Sequence, residues 1–292
     1  MPRWLLWSFM AVLCWGLWAV MSKLIGDALT AAQSQALSTL GLVPVALALV
    51  ASRRLSVSGN RRRGIGAAVA AGALASGGNV AYYHALNVGG KAATLVSLTA
   101  LYPLVTVVLA VLLLRERLNA FQCAGMVLSL AAIYIFNVAG IEGLLSGWLA
   151  YALVPIACWG VAGLLQKIST NHVSGELSTL SFLAAFLPVA VIILLRQPLQ
   201  GPLVLKTWLL VVALGLFLGL GNLAILSAFA CGGSASVITP LTGLYPVVSV
   251  PVAILFLGER ISGREWTGIG LALASVVALS RENPATKNTA AP

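Results

Sequence analysis

Apolar runs of about 20 residues follow one another along almost the whole chain, and each is long enough to cross a hydrocarbon core of about 30 Å as a helix. Ten such runs are separated by short polar segments. They lie near residues 4–25, 31–51, 64–86, 91–114, 119–138, 146–168, 175–195, 205–230, 233–257 and 263–281. A transmembrane barrel would show segments of about ten residues with alternating polarity. The sequence therefore predicts an all-α polytopic membrane protein with ten transmembrane helices.

The composition leaves little room for another class of protein. Hydrophobic residues make up 60% of the chain and charged residues 8%, whereas soluble proteins carry roughly 25% charged residues. The seven acidic residues all lie outside the middle of the runs, and the sequence has no metal-binding, paired-carboxylate or phosphate-loop motif. We therefore expect a protein that is not an enzyme and that needs no cofactor.

The net charge of +10 comes from basic residues in the loops, which favours a topology signal over binding to nucleic acid. With a cytoplasmic N-terminus, eleven of the 17 lysine and arginine residues fall on the inner side and six on the outer side. The loop from Arg53 to Arg63 makes the largest contribution, and basic loops of this kind stay in the cytoplasm. The sequence predicts a multi-pass protein of the cytoplasmic (inner) membrane with both termini in the cytoplasm.

The two halves of the chain also resemble each other in sequence, so the chain contains an internal repeat of about half its length. A Cys-Trp-Gly triplet with a downstream lysine occurs twice at an offset of 144 residues, and Leu-Tyr-Pro occurs twice at an offset of 143. The matched positions include Trp15 and Trp159, Lys23 and Lys167, Asn79 and Asn222, and Tyr102 and Tyr245. Five runs per half is an odd number, so the second half must enter the membrane from the opposite side. We expect two inverted five-helix repeats at 1–140 and 141–283, and a short flexible tail at 284–292.

Polar residues inside apolar runs are costly, so they are candidates for a pathway through the membrane. Thr99 and Tyr102 share one face of the predicted fourth helix, and Thr242 and Tyr245 take the equivalent places on the ninth. These hydroxyl groups could instead bond back to their own helices around the nearby prolines. Both interpretations stay open from the sequence.

The predicted third helix carries the densest polar and aromatic group, formed by Asn79, Tyr82, Tyr83 and His84. Asn79 has an identical counterpart in Asn222, whereas the other three have none, so these three are candidates for residues that select the substrate. Histidine titrates near neutral pH, and His84 is therefore a candidate for coupling to protons. A histidine near a helix end is also common as a simple interfacial residue.

Two tryptophans and two lysines recur at equivalent places in the predicted first and sixth helices. Trp15 and Trp159 lie well inside their runs, away from interfacial aromatic belts, and could stack on a substrate or pack on a neighbouring helix. Lys23 and Lys167 lie two turns further on. They are candidates for a gate or for attracting anions, although snorkelling to the interface also explains a lysine near a helix end.

The Trp-Gly pairs with their lysines, the stretch from Leu101-Tyr102-Pro103 to Arg115-Glu116-Arg117, and the copies of these motifs follow a fixed order through both halves. That series resembles the EamA-type, ten-helix branch of the drug/metabolite transporter superfamily. The resemblance implies two inverted repeats around a central cavity lined mainly by helices 1, 3, 4, 6, 8 and 9. It also implies export of small metabolites, often amino acids. The four-helix multidrug branch depends on a membrane-embedded glutamate that this chain lacks.

We therefore predict a secondary active or facilitative transporter that exports small metabolites, amino acids foremost, across the cytoplasmic membrane by alternating access. The aromatic residues of the predicted pathway favour an aromatic or amphipathic substrate. The expected partners are the small-molecule metabolite, the lipid bilayer and, as a candidate coupling ion, the proton. Nucleic acid is not expected, and a monomer is favoured over an obligate oligomer. A flippase for a lipid-linked metabolite and a non-transporting membrane scaffold are the alternatives.

Overall fold

The computed structural model describes residues 2–88, 91–114, 118–137 and 147–281, and these residues fold almost entirely into helices. Thirteen helices follow one another in this part of the chain. They are α1 Arg3–Leu24, α2 Ala31–Ser52, α3 Arg61–Asn87, α4 Ala92–Thr99, α5 Tyr102–Leu114, α6 Ala120–Asn137, α7 Gly147–Thr170, α8 Gly175–Ala184, α9 Phe186–Arg196, α10 Leu205–Ala230, α11 Ala235–Thr242, α12 Pro246–Leu257 and α13 Gly263–Leu279. The predicted repeat boundary at residue 140 and the predicted tail at 284–292 lie outside the described residues.

Eight segments among the described residues have the length and hydropathy of membrane-spanning helices, which makes the chain a multi-pass membrane protein. Five of them lie in the unbroken helices α1, α2, α3, α7 and α10. Three are pairs of short consecutive helices, namely α4 with α5, α8 with α9, and α11 with α12. The other two predicted spans correspond to α6 and α13, which have 18 and 17 residues. Their place in the membrane stays a prediction.

All three interrupted spans have a proline just after the break, which in α9 is the third residue, Pro188. α4 ends at Thr99 and α5 begins at Tyr102, directly before Pro103, and the break between α11 and α12 comes directly before Pro246. A proline offers no N–H to the helix, and its ring crowds the preceding turn. The interruptions place Tyr102 and Tyr245 at equivalent junctions, where both side chains are buried.

Helices of the two halves pack on one another in reciprocal pairs. α1 lies against α10 and α12, and its repeat counterpart α7 lies against α3 and α5. Glycine occupies the closest approaches, where a Cβ atom would fall within 3.0 Å of a side chain on the opposite helix. The pairs are Gly221 against Trp15, Gly78 against Trp159, Gly16 against Val248 and Gly160 against Val105. Small residues at these places let the helix backbones approach closely, as is usual within membranes.

The helix termini sort into two ends of the bundle. The first is named the Glu259 end, because Glu259, which follows α12, binds the first backbone N–H groups of α4 there. Lys91 Nζ, before α4, contacts Glu265 Oε2 in the first turn of α13 at 2.7 Å. Arg264 Nε, also in that turn, donates to the carbonyl oxygen of Ile135 near the last residue of α6 at 2.8 Å. The beginnings of α4 and α13 and the last turn of α6 therefore share the Glu259 end.

The opposite end is named the His172 end after the residue that joins two loops there. Gly59 N, before α3, donates to the carbonyl oxygen of His172, which follows α7, at 2.9 Å. Asn119 Nδ2, before α6, donates to the carbonyl oxygen of Arg281, which follows α13, at 3.0 Å. α6 and α13 are thus antiparallel neighbours, and they run the distance between the two ends.

Candidate functional site

A cavity lies between the two halves, next to the interrupted helices. Its volume is about 60 Å³, which is room for a few water molecules and well below the several hundred Å³ of a typical small-molecule pocket. Six of the predicted pathway residues line the cavity, and they are Trp15, Asn79, Tyr102, Trp159, Asn222 and Tyr245. The cavity is narrow, so a larger ligand would require the helices to move apart.

Trp18 of α1 is the aromatic centre of the cavity wall. Its ring stacks on Tyr82 with a centroid separation of 5.3 Å and meets the edge of Trp159 at 5.7 Å. The Trp159 ring in turn meets Tyr102 at 6.2 Å. Aromatic pairs at these separations attract each other beyond the effect of burial alone. The rings of Trp18, Trp159 and Tyr102 therefore form a continuous apolar surface that α1, α5 and α7 share.

Tyr82 and Tyr83 lie behind this surface and hold it in place. Trp18 Nε1 donates to the Tyr83 hydroxyl oxygen at 3.0 Å, and the Tyr82 hydroxyl donates to the carbonyl oxygen of Ala19 at 3.0 Å. Both tyrosine side chains are buried. Their hydrogen bonds fix the orientation of Trp18 and join α3 to α1, so they position the wall rather than form its face.

Thr99 and Thr242 each bond to a tyrosine of the other half. Thr99 Oγ1 and the Tyr245 hydroxyl oxygen are 3.0 Å apart, and the Tyr102 hydroxyl oxygen and Thr242 Oγ1 are 3.2 Å apart. Each threonine hydroxyl also donates to its own helix, at 2.9 Å for Thr99 and 3.0 Å for Thr242. The hydroxyls thus bond back to their own helices and also join the halves, while their place in a pathway stays a prediction.

Two tryptophan–asparagine pairs lie at matched positions on the described cavity wall, and only one of them forms a hydrogen bond. Trp159 Nε1 donates to Asn79 Oδ1 at 3.1 Å. The repeat places Trp15 beside Asn222 in the same way, yet Asn222 Oδ1 accepts instead from Gln166 Nε2 at 3.1 Å. Trp15 Nε1 and Asn79 Nδ2 are buried without a hydrogen-bond partner among the described residues. The two halves therefore differ at their most polar matched positions.

Charged side chains lie beyond the cavity, at the Glu259 end, and the described part of the cavity wall has none. Lys23 Nζ lies 3.3 Å from Glu259 Oε1. The same carboxylate accepts hydrogen bonds from the backbone N–H groups of Ala92 at 2.7 Å and Ala93 at 2.9 Å. A carboxylate at a helix N-terminus satisfies free N–H groups and complements the helix dipole. Glu259 of the second half thereby ties α1 to the start of α4.

Lys167, the repeat counterpart of Lys23, also contacts the other helix pair. Its Nζ donates to the carbonyl oxygen of Gly233, shortly before α11, at 2.9 Å. Glu116, the repeat counterpart of Glu259, lies outside the described residues. Both lysines thus lie at the start of a short interrupted helix, at opposite ends of the bundle, and their role as a gate stays a prediction.

His84 is a predicted pathway residue that packs on another helix, away from the cavity wall. Its ring meets Tyr151 of α7 edge-on, with the centroids 4.2 Å apart. Neither residue is among the described residues that line the cavity. The structure therefore places His84 at the contact between α3 and α7, and its coupling to protons stays a prediction.

Several wall residues were not singled out by the sequence, because each has a different residue at the matched position of the other half. Trp18 corresponds to Ala162, and Ala75 corresponds to Leu218, and all four line the cavity. Gln166 and Phe182 line it as well. A usable signal existed for Trp18, since it lies one helical turn after Trp15 and so shares its face. Gln166 was marked only by being an amide within an apolar run.

Comparison with known proteins decides the family. The model of the EamA-like transporter family matches residues 2–138 and again residues 146–281. The chain belongs to the EamA-like transporter family. As a member of the EamA-like family it is a multi-pass membrane protein of transporter type, and the predicted resemblance to the drug/metabolite transporter superfamily is confirmed.

Two further comparisons give a relative and a solved structure. The chain is 28% identical over 136 residues to an "Uncharacterized transporter in cobO 3'region" of Sinorhizobium sp, a match that covers 46% of this chain and 96% of that protein. A solved structure described only as "Crystal structure of protein" is 21% identical and superposes with a TM-score of 0.65 over 94% of this chain and 95% of that one. At that identity the solved structure shows the fold alone.

Proposed function

We propose that this EamA-like protein is a secondary active or facilitative transporter that exports small metabolites across the cytoplasmic membrane by alternating access. The observation that carries the proposal is the cavity between two halves that make reciprocal contacts. A membrane scaffold has no use for a buried cavity with unpaired polar groups, which cost free energy. A transporter needs such a site, and transporter sites lie where two repeats meet.

Ten spans in two inverted five-helix repeats are part of the same proposal. The reciprocal packing of α1 on α10 and of α7 on α3 supports a twofold relation between the halves. The contacts of α6 and α13 with both ends of the bundle support counting them as the fifth and tenth spans. An inverted pair can exchange the conformations of its halves, which opens the cavity first to one side and then to the other.

The ion pair at the Glu259 end supports a gate at one mouth of the cavity. Lys23 and Glu259 join α1 of the first half to the segment after α12 of the second, and Glu259 holds the start of α4 as well. Opening this mouth requires these contacts to separate. Lys167 and Gly233 occupy the equivalent position in the other half. We infer that the two lysines belong to the two mouths of one pathway.

Amino acids, particularly aromatic ones, are the substrate class that we propose. The cavity wall combines large aromatic surfaces with a few amide groups, which is the usual composition of a small-molecule site. Trp18, Trp159 and Tyr102 offer faces and edges for a ring. The absence of charged groups from the described wall matches a substrate whose charges balance within the molecule.

The test is counterflow in proteoliposomes that contain the purified full chain. Vesicles loaded with a high concentration of unlabelled L-phenylalanine should take up external labelled L-phenylalanine faster than protein-free vesicles. Labelled uptake with a proton gradient of either sign should be measured in parallel, because it tests whether protons couple. A chain that moves none of a panel of amino acids refutes the amino-acid proposal.

The same vesicles distinguish the alternative activities. A fluorescent lipid-linked sugar should stay in its original leaflet if the protein exports water-soluble metabolites. Rapid exchange of that lipid between leaflets, without amino-acid counterflow, would instead identify a flippase. Vesicles in which neither solute nor lipid moves would support the scaffold. A single mass of about one chain plus its detergent by light scattering is expected for the monomer that we propose.

A further inference from the structure

The matched tryptophan and asparagine pairs on the cavity wall leave two hydrogen-bond donors free. Trp159 donates to Asn79 in one pair, whereas in the other Asn222 is already bonded to Gln166, and Trp15 has no acceptor. The free atoms are Trp15 Nε1 and Asn79 Nδ2, and both residues line the cavity. The uneven pairing gives the wall a chemical polarity that its aromatic composition alone would not supply.

These two atoms are costly to leave unpaired. Asn79 is only 2% exposed, and Trp15 Nε1 is buried as well. Buried donors of this kind are almost always bonded to protein or to ordered water, because an unmet donor loses its hydration without compensation. An indole nitrogen can only donate, and the free amide group of Asn79 can only donate too. The partner missing from both places is therefore an acceptor.

The rest of the described wall does not favour a cation. It has no carboxylate, and two of its three amide oxygens, those of Asn79 and Asn222, already accept hydrogen bonds, which leaves Gln166 Oε1 as the amide acceptor still open to a ligand on the described wall. A ligand that brings N–H groups or a positive charge would find few free acceptors here. A ligand that brings oxygen acceptors would find two donors, next to aromatic rings that pack on an apolar body.

We propose that Trp15 Nε1 and Asn79 Nδ2 bind carbonyl or carboxylate oxygens of the transported molecule, so that the cavity selects an aromatic or other apolar body that carries an acceptor group. This inference rests on the proposed function, since it takes the cavity as the substrate site. It goes further, because it names the two atoms that would hydrogen-bond to the substrate and the group of the substrate that they would bind. An ammonium group of the substrate is not required for binding.

Isothermal titration of the purified full chain in detergent tests the inference with two probes that share one body. 3-Phenylpropanoate carries a carboxylate, and 3-phenylpropylamine carries an ammonium group in its place. Wild-type protein should bind the carboxylate more tightly. Trp15→Phe keeps an aromatic ring and removes the N–H, so carboxylate affinity should fall about tenfold or more, the usual loss for a hydrogen bond to a charged group. Amine affinity should stay within about twofold, since no bond to the amine is lost.

A second variant keeps the test independent of how well the first one folds. Asn79→Asp retains an oxygen that can accept from Trp159 and replaces the free amide nitrogen by another oxygen. The preference should then reverse in favour of 3-phenylpropylamine. Trp208→Phe, in the first turns of α10 and outside the described cavity wall, is the matched control and should change neither affinity.

The outcomes separate this inference from the proposed function. Equal wild-type affinities for the two probes, or a Trp15→Phe loss that is the same for both, would overturn the inference even if counterflow of amino acids is observed. A carboxylate preference that depends on Trp15 and Asn79 supports it, even if the vesicles identify another transported solute. Absence of any transport alongside that preference would refute the transporter and leave a binding site.

Discussion

Tyr102 and Tyr245 each share a hydrogen bond with a threonine of the other half, and the same threonines bond to their own helices. Both tyrosines line the cavity, but their hydroxyl groups are already occupied. A substrate that needed them would first have to break contacts between the halves. In the transport mechanism that we propose, these paired hydroxyls belong to the contact that rearranges, whereas the free donors lie elsewhere.

Removal of the Tyr102 hydroxyl should slow transport without loss of folded protein. Tyr102→Phe keeps the ring that meets Trp159 and removes the hydrogen bond to Thr242, a contact worth about 1 kcal/mol. We expect about a fivefold change in the counterflow rate at an unchanged yield of monodisperse protein. Tyr134→Phe on the exposed side of α6 is the control and should match wild type. An equal loss of rate and of folded yield in Tyr102→Phe would show that the hydroxyl only supports packing.

The cavity-wall residues that were identified from the sequence are those that are identical at the matched positions of the two halves. Trp15, Asn79 and Tyr102 were predicted because an identical residue stands at the matched position of the other half. Trp18 and Gln166 were missed for the converse reason, since their counterparts are Ala162 and Ser22. Repetition detects what both halves need, such as packing and movement. Comparison of the halves does not identify positions where they differ, and those residues come together only in the folded cavity.

At the scale of helices, glycine decides how closely the halves approach. The backbone of α2 lies directly on that of α10, with Gly41 and Gly215 facing each other. A methyl group on Gly215 would overlap the carbonyl oxygen of Ser38, which cannot turn aside because it belongs to a helix backbone. Van der Waals contact replaces the hydrophobic effect as the main attraction between helices in a bilayer, so this fit matters for stability.

Gly215→Ala should therefore destabilise the protein. Separating α2 from α10 enough to admit the methyl group should cost about 2 kcal/mol, the typical cost of overpacking. The apparent unfolding temperature in detergent should fall by several degrees, as measured by thermal aggregation or by intrinsic fluorescence. Gly270→Ala in α13 is a matched control, since a Cβ atom there meets nothing within 4 Å. That control should be neutral or slightly stabilising because alanine favours helix.

Interrupted spans were only partly visible in the sequence. Pro103 and Pro246 lie at breaks between separate helices. Pro44 lies inside an apolar run in the same way, yet α2 continues through it from Ala31 to Ser52. A proline removes one hydrogen bond, but packing around the helix determines whether the chain bends or breaks there. Neighbouring helices are not encoded near the proline, so the sequence alone could not separate these cases.

At the scale of the whole molecule, hydropathy and the doubled motifs were enough to predict a helical membrane transporter. Eight of the predicted spans have the expected length and hydropathy, and the family is confirmed. The contacts between helix termini at each end of the bundle could not be predicted, because residues such as Lys91 and Glu265 meet only after the halves have packed. Local patterns specify elements, whereas the closure of a cavity depends on side chains far apart in the chain.

Glu259→Gln should shift the whole molecule towards a state that is open at the Glu259 end. The change removes the ion pair with Lys23 and weakens the cap on α4, contacts between partly buried charged groups worth about 1.5 kcal/mol or more. A cysteine placed at Ala75 on the cavity wall, in a background without native cysteines, reports the opening. With the predicted cytoplasmic N-terminus, α1 ends on the outer side, so the Glu259 end faces the outside. An impermeant maleimide added outside whole cells should therefore label the cysteine about tenfold faster than in the parent.

Two controls accompany this experiment. Labelling in inside-out vesicles should become slower, because a population that gains one open state loses the other. Glu176→Gln removes an acid from the first turn of α8, at the His172 end, and should leave labelling from outside unchanged. Labelling that is unchanged in Glu259→Gln, or that rises equally from both sides, would contradict a gate at the Glu259 end.

The unlike pairs on the cavity wall, Trp18 with Ala162 and Ala75 with Leu218, have a consequence for the direction of flow. If the halves exchange conformations, the wall that faces one compartment is not rebuilt in the same shape for the other. A solute would then half-saturate the carrier at different concentrations on the two sides, while net flux still vanishes when the concentrations are equal. The kinetics of the carrier would be asymmetric, so that it binds the solute readily from one compartment and releases it readily into the other.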